Sequence, residues 1–262
     1  MERIVCTWCQ GQSDVGSRSC VVCGAPLDAK QLVTDSGWRE APRLRDMAEF
    51  NFGASTCQVE GEIVPVAEMN LGMGDSVYFE HHVMLWKDEN VPVSAMNTGS
   101  RSFGGMPFTV TVAHGPGRVA VSRDATGEMV VLPLHPSMEV DTREHAFLAA
   151  SSSVGYSFVR IKGLSNILHG GSGMYMDRFV TQGGPGLLLL HGNGNVFERL
   201  LAPGEKIMVE PGGFLYKDST VQMNTVQLPV KISMLRRSMF LAEMVGPGRV
   251  GIQSMYVHHG SE

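Results

Sequence analysis

The chain has 262 residues, enough for one large all-β domain or two smaller ones. Hydrophobic residues make up 43% of it, and its 31 glycines suit many short strands joined by tight turns. The formal net charge of −5 argues against nucleic acid as a partner, because such a surface needs a dense basic face. No apolar run approaches about 18 residues, so no membrane span is expected. The N-terminus has neither the apolar stretch of a secretion signal nor an Arg-rich transit peptide, so we expect a cytoplasmic protein.

Two Cys-x-x-Cys pairs lie near the N-terminus: Cys6 with Cys9, and Cys20 with Cys23. A two-residue gap lets both thiolates of a tight turn face one ion, and two pairs supply the tetrahedral sulfur ligands that zinc prefers. Two disulfides are the alternative, which a cytoplasmic location disfavours, and a redox motif would need only one pair. We therefore predict a zinc ribbon over residues 1–28 with these four cysteines as ligands. Four protein ligands leave no position for water, so the zinc is expected to be structural.

The rest of the chain is predicted to be a linker followed by an all-β body. Residues 29–46 carry mixed charge and little periodicity, which indicates a linker that docks on the body. Residues 47–262 show alternation and short apolar runs, which are typical of strands. Asn193-Gly194 between two apolar runs predicts a tight hairpin. In chain order, the predicted strands cover residues 58–60, 64–67, 77–80, 83–86, 108–113, 119–122, 129–134, 147–150, 158–161, 187–190, 196–201, 207–210, 214–216, 221–224, 230–235, 240–244 and 250–254.

The body sequence repeats internally. Residues 66–91 align without a gap on residues 196–221, and a looser copy lies within residues 136–150. A period of about 60 to 70 residues indicates one module used three times. Because such a unit buries little surface alone, three copies are expected to share a core about a pseudo-threefold axis. Strand 250–254, after the last copy, is expected to close against the first unit.

No catalytic signature is evident in the body. His81-His82 are sequential neighbours, whose side chains in a strand would point to opposite faces, so no shared metal site is expected. The pairs Lys87-Asp88 and Lys217-Asp218 recur after the same aromatic position. A charged strand end that opens a turn explains this recurrence better than catalysis does. Repetition favours architecture or multivalent binding, so we expect no enzyme activity.

Several motifs in residues 47–257 resemble a known family. They are the apolar run 187–190, Gly192-Asn193-Gly194, Leu201-Ala202-Pro203-Gly204-Glu205 and the closing Gly246-Pro247-Gly248-Arg249-Val250-Gly251-Ile252-Gln253-Ser254. This region resembles the altered-inheritance-of-mitochondria family, whose domain is related to the fold of the tryptophan RNA-binding attenuator protein (TRAP). The resemblance implies three short double-stranded β-helix units, a tendency to oligomerise and no established catalytic residues. With the ribbon and residues 79–88, the chain is similar to a bacterial branch of that family.

The sequence predicts a non-enzymatic oligomeric scaffold or binding protein with the zinc ribbon as its docking module. Its expected partners are further copies of itself and a protein that contacts the ribbon. One alternative is a nucleic-acid-associated regulator, although residues 1–24 contain only Arg3 and Arg18 as basic residues. The other is a small-molecule sensor or enzyme with a pocket at the pseudo-threefold axis.

Overall fold

The computed structural model describes residues 3–6, 11–14, 17, 19–22, 27, 37–40, 48–96, 110–160, 175–232 and 237–255. This part of the chain consists of β-strands with short 3-10 turns and no α-helix, so the predicted all-β class is confirmed. The strands are β1 (Arg3–Val5), β2 (Gln12–Asp14), β3 (Arg39–Glu40), β4 (Ala48–Phe52), β5 (Ser55–Glu60), β6 (Val66–Leu71), β7 (Ser76–Glu80), β8 (Met84–Lys87), β9 (Val93–Met96), β10 (Val110–His114), β11 (Gly117–Ser122), β12 (Gly127–Leu134), β13 (Glu139–Arg143), β14 (Phe147–Ser151), β15 (Val154–Arg160), β16 (Tyr175–Thr181), β17 (Gly186–Asn193), β18 (Val196–Leu201), β19 (Lys206–Val209), β20 (Phe214–Asp218), β21 (Gln222–Ile232), β22 (Arg237–Val245) and β23 (Gly248–Gln253).

Within the body, residues 47–262, the sequence predicted most of the described strands and missed four: β4, β9, β13 and β16. β13 is instructive because its residues Asp141 and Thr142 are polar and buried. A strand whose inward positions are charged or polar lacks the apolar alternation on which the prediction depends. Residues 39–40, which fall in the predicted linker, pair with β18 of the body.

Three consecutive segments of the body have the same order of strand pairing. The first segment comprises β6–β11, the second β12–β17 and the third β18–β23. In each, the first strand pairs with the sixth and the second with the fifth, while the third pairs with the sixth and the fourth with the fifth. All these pairs are antiparallel. Each segment therefore coils as two short layers of strands.

A left-handed residue precedes the second strand of every segment. Gly74, Ser137 and Gly204 have φ angles of 86°, 69° and 75°. In each case the following residue closes the turn, donating its N–H to the carbonyl oxygen three residues earlier. Glycine adopts this conformation without steric cost, which explains two of the three positions. Ser137 adopts it despite its Cβ.

The segments are joined edge to edge, the second strand of one pairing with the third strand of the next. β7 pairs with β14, and β13 pairs with β20. We call these contacts the joints. They generate the two largest sheets. The sheet orders are β1-β2, β12-β17-β14-β7-β10-β9, β4-β5-β6-β11-β8, β15-β16-β13-β20-β23-β18-β3 and β19-β22-β21.

The core is divided into three clusters of buried side chains, one for each segment. The cluster of the first segment also contains Leu148 and Leu189 from the second. The cluster of the second segment also contains Tyr78 from the first and Leu215 from the third. Among the described residues, the cluster of the third segment takes only Met176 from outside that segment. Neighbouring segments therefore complete each other's cores across the joints.

Two sequence predictions are wrong in the described body. Asn193-Gly194 does not form a hairpin, because β17 already pairs with β12 and β14 on its two edges. Gly194, with a φ of 71°, instead leads the chain into another sheet. The last strand, β23, does not close against the first segment, since both of its neighbours, β18 and β20, belong to the third. It is the sixth strand of that segment.

Candidate functional site

Cys6 and Cys20 lie beside the β1-β2 sheet. Cys6 follows β1 directly, and its backbone N–H donates a 2.8 Å hydrogen bond to the carbonyl oxygen of Gly11, just before β2. The turn that contains Cys20 is tied to β2, because the Ser13 hydroxyl accepts a 3.2 Å hydrogen bond from the backbone N–H of Val21. Cys6 and Cys20 are buried, and neither is disulfide-bonded. One small sheet thus holds a cysteine from each predicted pair.

The surroundings of Cys20 suit a metal-binding thiolate. The backbone N–H of Val22 donates to its Sγ at 3.4 Å, and such donors favour the charged form of the sulfur. Cys9 and Cys23, the other two predicted ligands, lie outside the described residues. Within the described residues, no group of three or more His, Cys, Asp or Glu side chains is placed to hold a metal ion. The zinc site therefore stays a prediction.

A buried ion network spans the joint between the second and third segments. Asp141 on β13 accepts hydrogen bonds from Nζ of Lys217 on β20 at 2.7 Å and from Nε of Arg178 on β16 at 2.6 Å. Asp141 and Lys217 are almost fully buried. Burial alone would raise the pKa of Asp141, but the hydrogen bonds and charges of Arg178 and Lys217 outweigh it and hold that pKa below its usual range. The network stabilises the pairing of β13 with β20.

One side chain at the end of the third strand is bonded to the sixth strand in every segment. In each segment this side chain accepts a hydrogen bond from a backbone N–H of the sixth strand. The acceptors are Asp88, Ser151 and Asp218, and the donors are, in the same order, Arg118 at 3.0 Å, Leu187 at 3.0 Å and Arg249 at 2.8 Å. The two aspartates also form ion pairs with the arginine side chains. The aspartates of the recurring Lys-Asp pairs therefore have a structural role as strand connections.

Two of the described histidines, His82 and His191, have structural partners. His81 and His82 lie on a 3-10 turn and not in a strand. His82 Nε2 lies 3.3 Å from Oε2 of Glu80, which also accepts a 2.9 Å hydrogen bond from Arg123. Burial, followed by the charge of Arg123, lowers the pKa of His191 to about 4, so its ring is neutral near pH 7. His82 and His191 are therefore held by neighbouring groups of the fold.

In the part of the chain that the structure describes, two strands lack the joint that their counterparts in the other segments form. β8 ends the five-stranded sheet and β19 ends the three-stranded sheet. Leu85 and Trp86 on β8 are 56% and 39% exposed, and Met208 on β19 is 48% exposed. Their counterparts on β20, Leu215 and Tyr216, are fully buried in a joint. Unpaired edges with apolar side chains bind other strands readily, so these two edges are the candidate binding surface.

The sequence analysis did not predict this surface. The alignment of residues 85–88 on residues 215–218 predicts equivalent positions but does not show which of them is buried. Which of them pairs depends on contacts between segments that are distant in sequence. The difference therefore emerges only from the three-dimensional arrangement.

No helix in the described part of the chain has the length and apolar character needed to cross a membrane.

Three comparisons with known proteins concern mainly the body of the chain. No curated protein matches the sequence. The fold is similar to the crystal structure of a Streptococcus pyogenes protein, with a TM-score of 0.61 and 21% sequence identity over 77% of this chain and 94% of that one. The family model described as "Mitochondrial biogenesis AIM24" matches residues 57–255, and the chain therefore belongs to the AIM24 family.

Proposed function

We propose that this chain is a non-enzymatic, self-associating scaffold or binding protein of the cytoplasm. Three copies of one module form its body, and an N-terminal zinc ribbon is its docking module. The observation that carries the proposal is the exposed apolar edge of β8, where Leu85 and Trp86 face solvent at positions that are buried in the other segments. Strand edges of this kind bind by adding a strand to the sheet.

The recurring aspartates and the buried Asp141 network support a role without catalysis. The carboxylates of Asp88 and Asp218 accept hydrogen bonds from backbone N–H groups and pair with arginines. Asp141 is neutralised by Lys217 and Arg178 inside a joint. A group whose charge and hydrogen bonds are satisfied by the fold is not available to a substrate. The polar positions that recur thus serve the architecture.

The three segments are proposed to be copies of one short double-stranded β-helix unit of the TRAP type. The shared pairing order and the shared left-handed turn before the second strand support this proposal. The two joints pair equivalent strands, which supports a common relation between successive segments and an arrangement about a pseudo-threefold axis. The third joint that would close this arrangement, between β19 and β8 of one chain, is not formed among the described residues.

Cys6, Cys9, Cys20 and Cys23 are proposed to hold one structural zinc ion. The burial of Cys6 and Cys20, and the N–H donor at the Cys20 sulfur, support this assignment. A bound zinc ion cross-links the two turns and contributes directly to folding of the segment. The cytoplasm suits this site because its reducing conditions keep the thiols available as ligands.

Native mass spectrometry of the full chain tests the proposed function. We expect an oligomer that carries one zinc ion per chain, and loss of that zinc in Cys6→Ser and Cys20→Ser variants. Cys57→Ser is the matched control, because Cys57 is buried in the body on β5 and its replacement leaves the zinc content unchanged. A monomer at micromolar concentration refutes self-association. An oligomer without zinc refutes the zinc ribbon but not self-association.

A further inference from the structure

The two joints inside the chain have the same register. In the first joint, Phe79 lies opposite Ala149. In the second joint, Thr142 lies opposite Tyr216. Phe79 and Thr142 occupy the same position, five residues after the left-handed turn residue of their segment. Ala149 and Tyr216 also correspond, because each lies two residues before the side chain that is bonded to the sixth strand.

The same rules locate the equivalent positions on β19 and β8, the two strands that lack a joint. Val209 lies five residues after Gly204, the left-handed turn residue of the third segment. Trp86 lies two residues before Asp88, which accepts a hydrogen bond from the sixth strand of the first segment. A joint of the same kind between β19 and β8 therefore places Val209 opposite Trp86. The next pair in this antiparallel register is Met208 and Lys87.

Each third strand contains a β-bulge, and a leucine lies at the bulge in all three segments. The strand register shifts across Leu85 in β8, Leu148 in β14 and Leu215 in β20. Leu148 is buried in the core cluster of the first segment, and Leu215 in that of the second. In both joints, the bulge leucine of one segment thus fills the core of the segment before it.

The third segment lacks this contribution among the described residues. Its core cluster contains no residue of the first segment. Leu85, the bulge leucine that remains, is 56% exposed, and Met208 on the facing edge is 48% exposed. The β8 edge therefore carries an exposed bulge leucine, and the core next to the β19 edge contains no bulge leucine from another segment.

We propose that β19 of one copy pairs with β8 of a second copy, in the register of the internal joints, and that Leu85 enters the core of the partner's third segment. This inference rests on the proposed function and names its partner surface. A second copy is favoured because both edges are open in a single folded chain whose two internal joints are formed. The contact is head to tail, so its repetition gives a closed ring or an open chain of copies.

Substitution at the bulge tests the proposal by sedimentation velocity of the full chain. Leu85→Asp is expected to raise the dissociation constant at least about tenfold, since it removes a buried apolar side chain and adds a charge. Leu200→Asp is the matched control: Leu200 is 70% exposed on β18, whose two edges are paired. Thermal unfolding of both variants verifies that they fold. Equal association of the two variants overturns the proposal.

A cysteine pair distinguishes the second copy from closure within one chain. Lys87→Cys with Met208→Cys places two cysteines directly opposite each other in the proposed register, and mild oxidation is expected to give covalent dimers and a ladder of higher species. Trp86→Cys with Met208→Cys is the out-of-register control, because adjacent strand residues point to opposite faces. Each single cysteine variant is the control for disulfides that form with the native cysteines.

The outcomes separate this inference from the proposed function. Linkage within a single chain overturns the inference, because the two edges then close on each other. An oligomer that forms no in-register link overturns the inference but leaves self-association standing. A wild-type monomer in native mass spectrometry overturns both.

Discussion

Removal of the Asp141 charge is expected to destabilise the joint between the second and third segments. Asp141→Asn keeps the shape of the side chain but leaves Lys217, whose side chain is 5% exposed, without its 2.7 Å carboxylate partner. At about 3 Å and an effective dielectric constant of about 20, one ion pair amounts to roughly 5 kcal/mol before desolvation. Loss of one partner of a buried pair typically costs about 3–5 kcal/mol. We expect the free energy of unfolding to fall by that amount.

Urea denaturation at pH 7 measures this change, and a second variant supplies the comparison. Lys217→Met removes the buried ammonium group and retains most of its length. Asp141 then keeps both hydrogen bonds from Arg178, at 2.6 and 3.0 Å, so the expected loss is smaller, about 1 kcal/mol. The double variant is expected to be more stable than Asp141→Asn alone. A loss below about 1 kcal/mol for Asp141→Asn refutes the assignment of the network to the joint.

The pH dependence has a definite sign. The pKa of Asp141 is lowered in the folded state: burial opposes ionisation, but Arg178 and Lys217 outweigh it. Its contribution is therefore fully present above the unfolded pKa of about 3.9 and is lost as pH falls through the folded value. The difference in unfolding free energy between the wild type and Asp141→Asn is expected to shrink below about pH 4. A constant difference down to pH 2 contradicts this cause.

Further predictions concern a strained turn, a buried histidine and a buried thiol. Ser137→Gly is expected to raise the free energy of unfolding by about 0.5–1 kcal/mol, and Gly204→Ala to lower it by about 1 kcal/mol, because both positions are left-handed; urea denaturation measures both. The lowered pKa of His191, about 4, means that stability is lost as pH falls from about 6.5 towards 4, and His191→Gln is expected to reduce that loss in pH-dependent denaturation. Burial raises the pKa of Cys57 to about 12, so iodoacetamide is expected to label it only in denaturant, as mass spectrometry of peptides would show.

The sequence was sufficient for the fold class because that information is local. Short alternating runs and frequent turns predict strands wherever apolar side chains alternate, as in β5, where Cys57 and Val59 face inward. The same rule fails at β13, whose inward Asp141 is stabilised by Lys217 from another segment. From sequence alone, a charged residue in a strand is predicted to be exposed, because its buried partner is not yet known.

Other features depend on contacts between distant strands. The Asn193-Gly194 dipeptide is a strong local signal for a hairpin, yet both edges of β17 are already paired, so the chain turns into another sheet. The repeat alignment placed Lys87-Asp88 on Lys217-Asp218, and both aspartates connect the third strand of their segment to the sixth. It could not show that β8 lacks the neighbour that β20 has.

Hydrogen exchange of the full chain tests the central claim most directly, that one kind of joint is used inside the chain and again between copies. Backbone amides of β14 and β20 are expected to be protected at every protein concentration. Amides of β8 and β19 are expected to become protected only at concentrations where the protein assembles. Rapid exchange of β8 and β19 in the assembled protein, or full protection of both in the dilute monomer, would contradict the account.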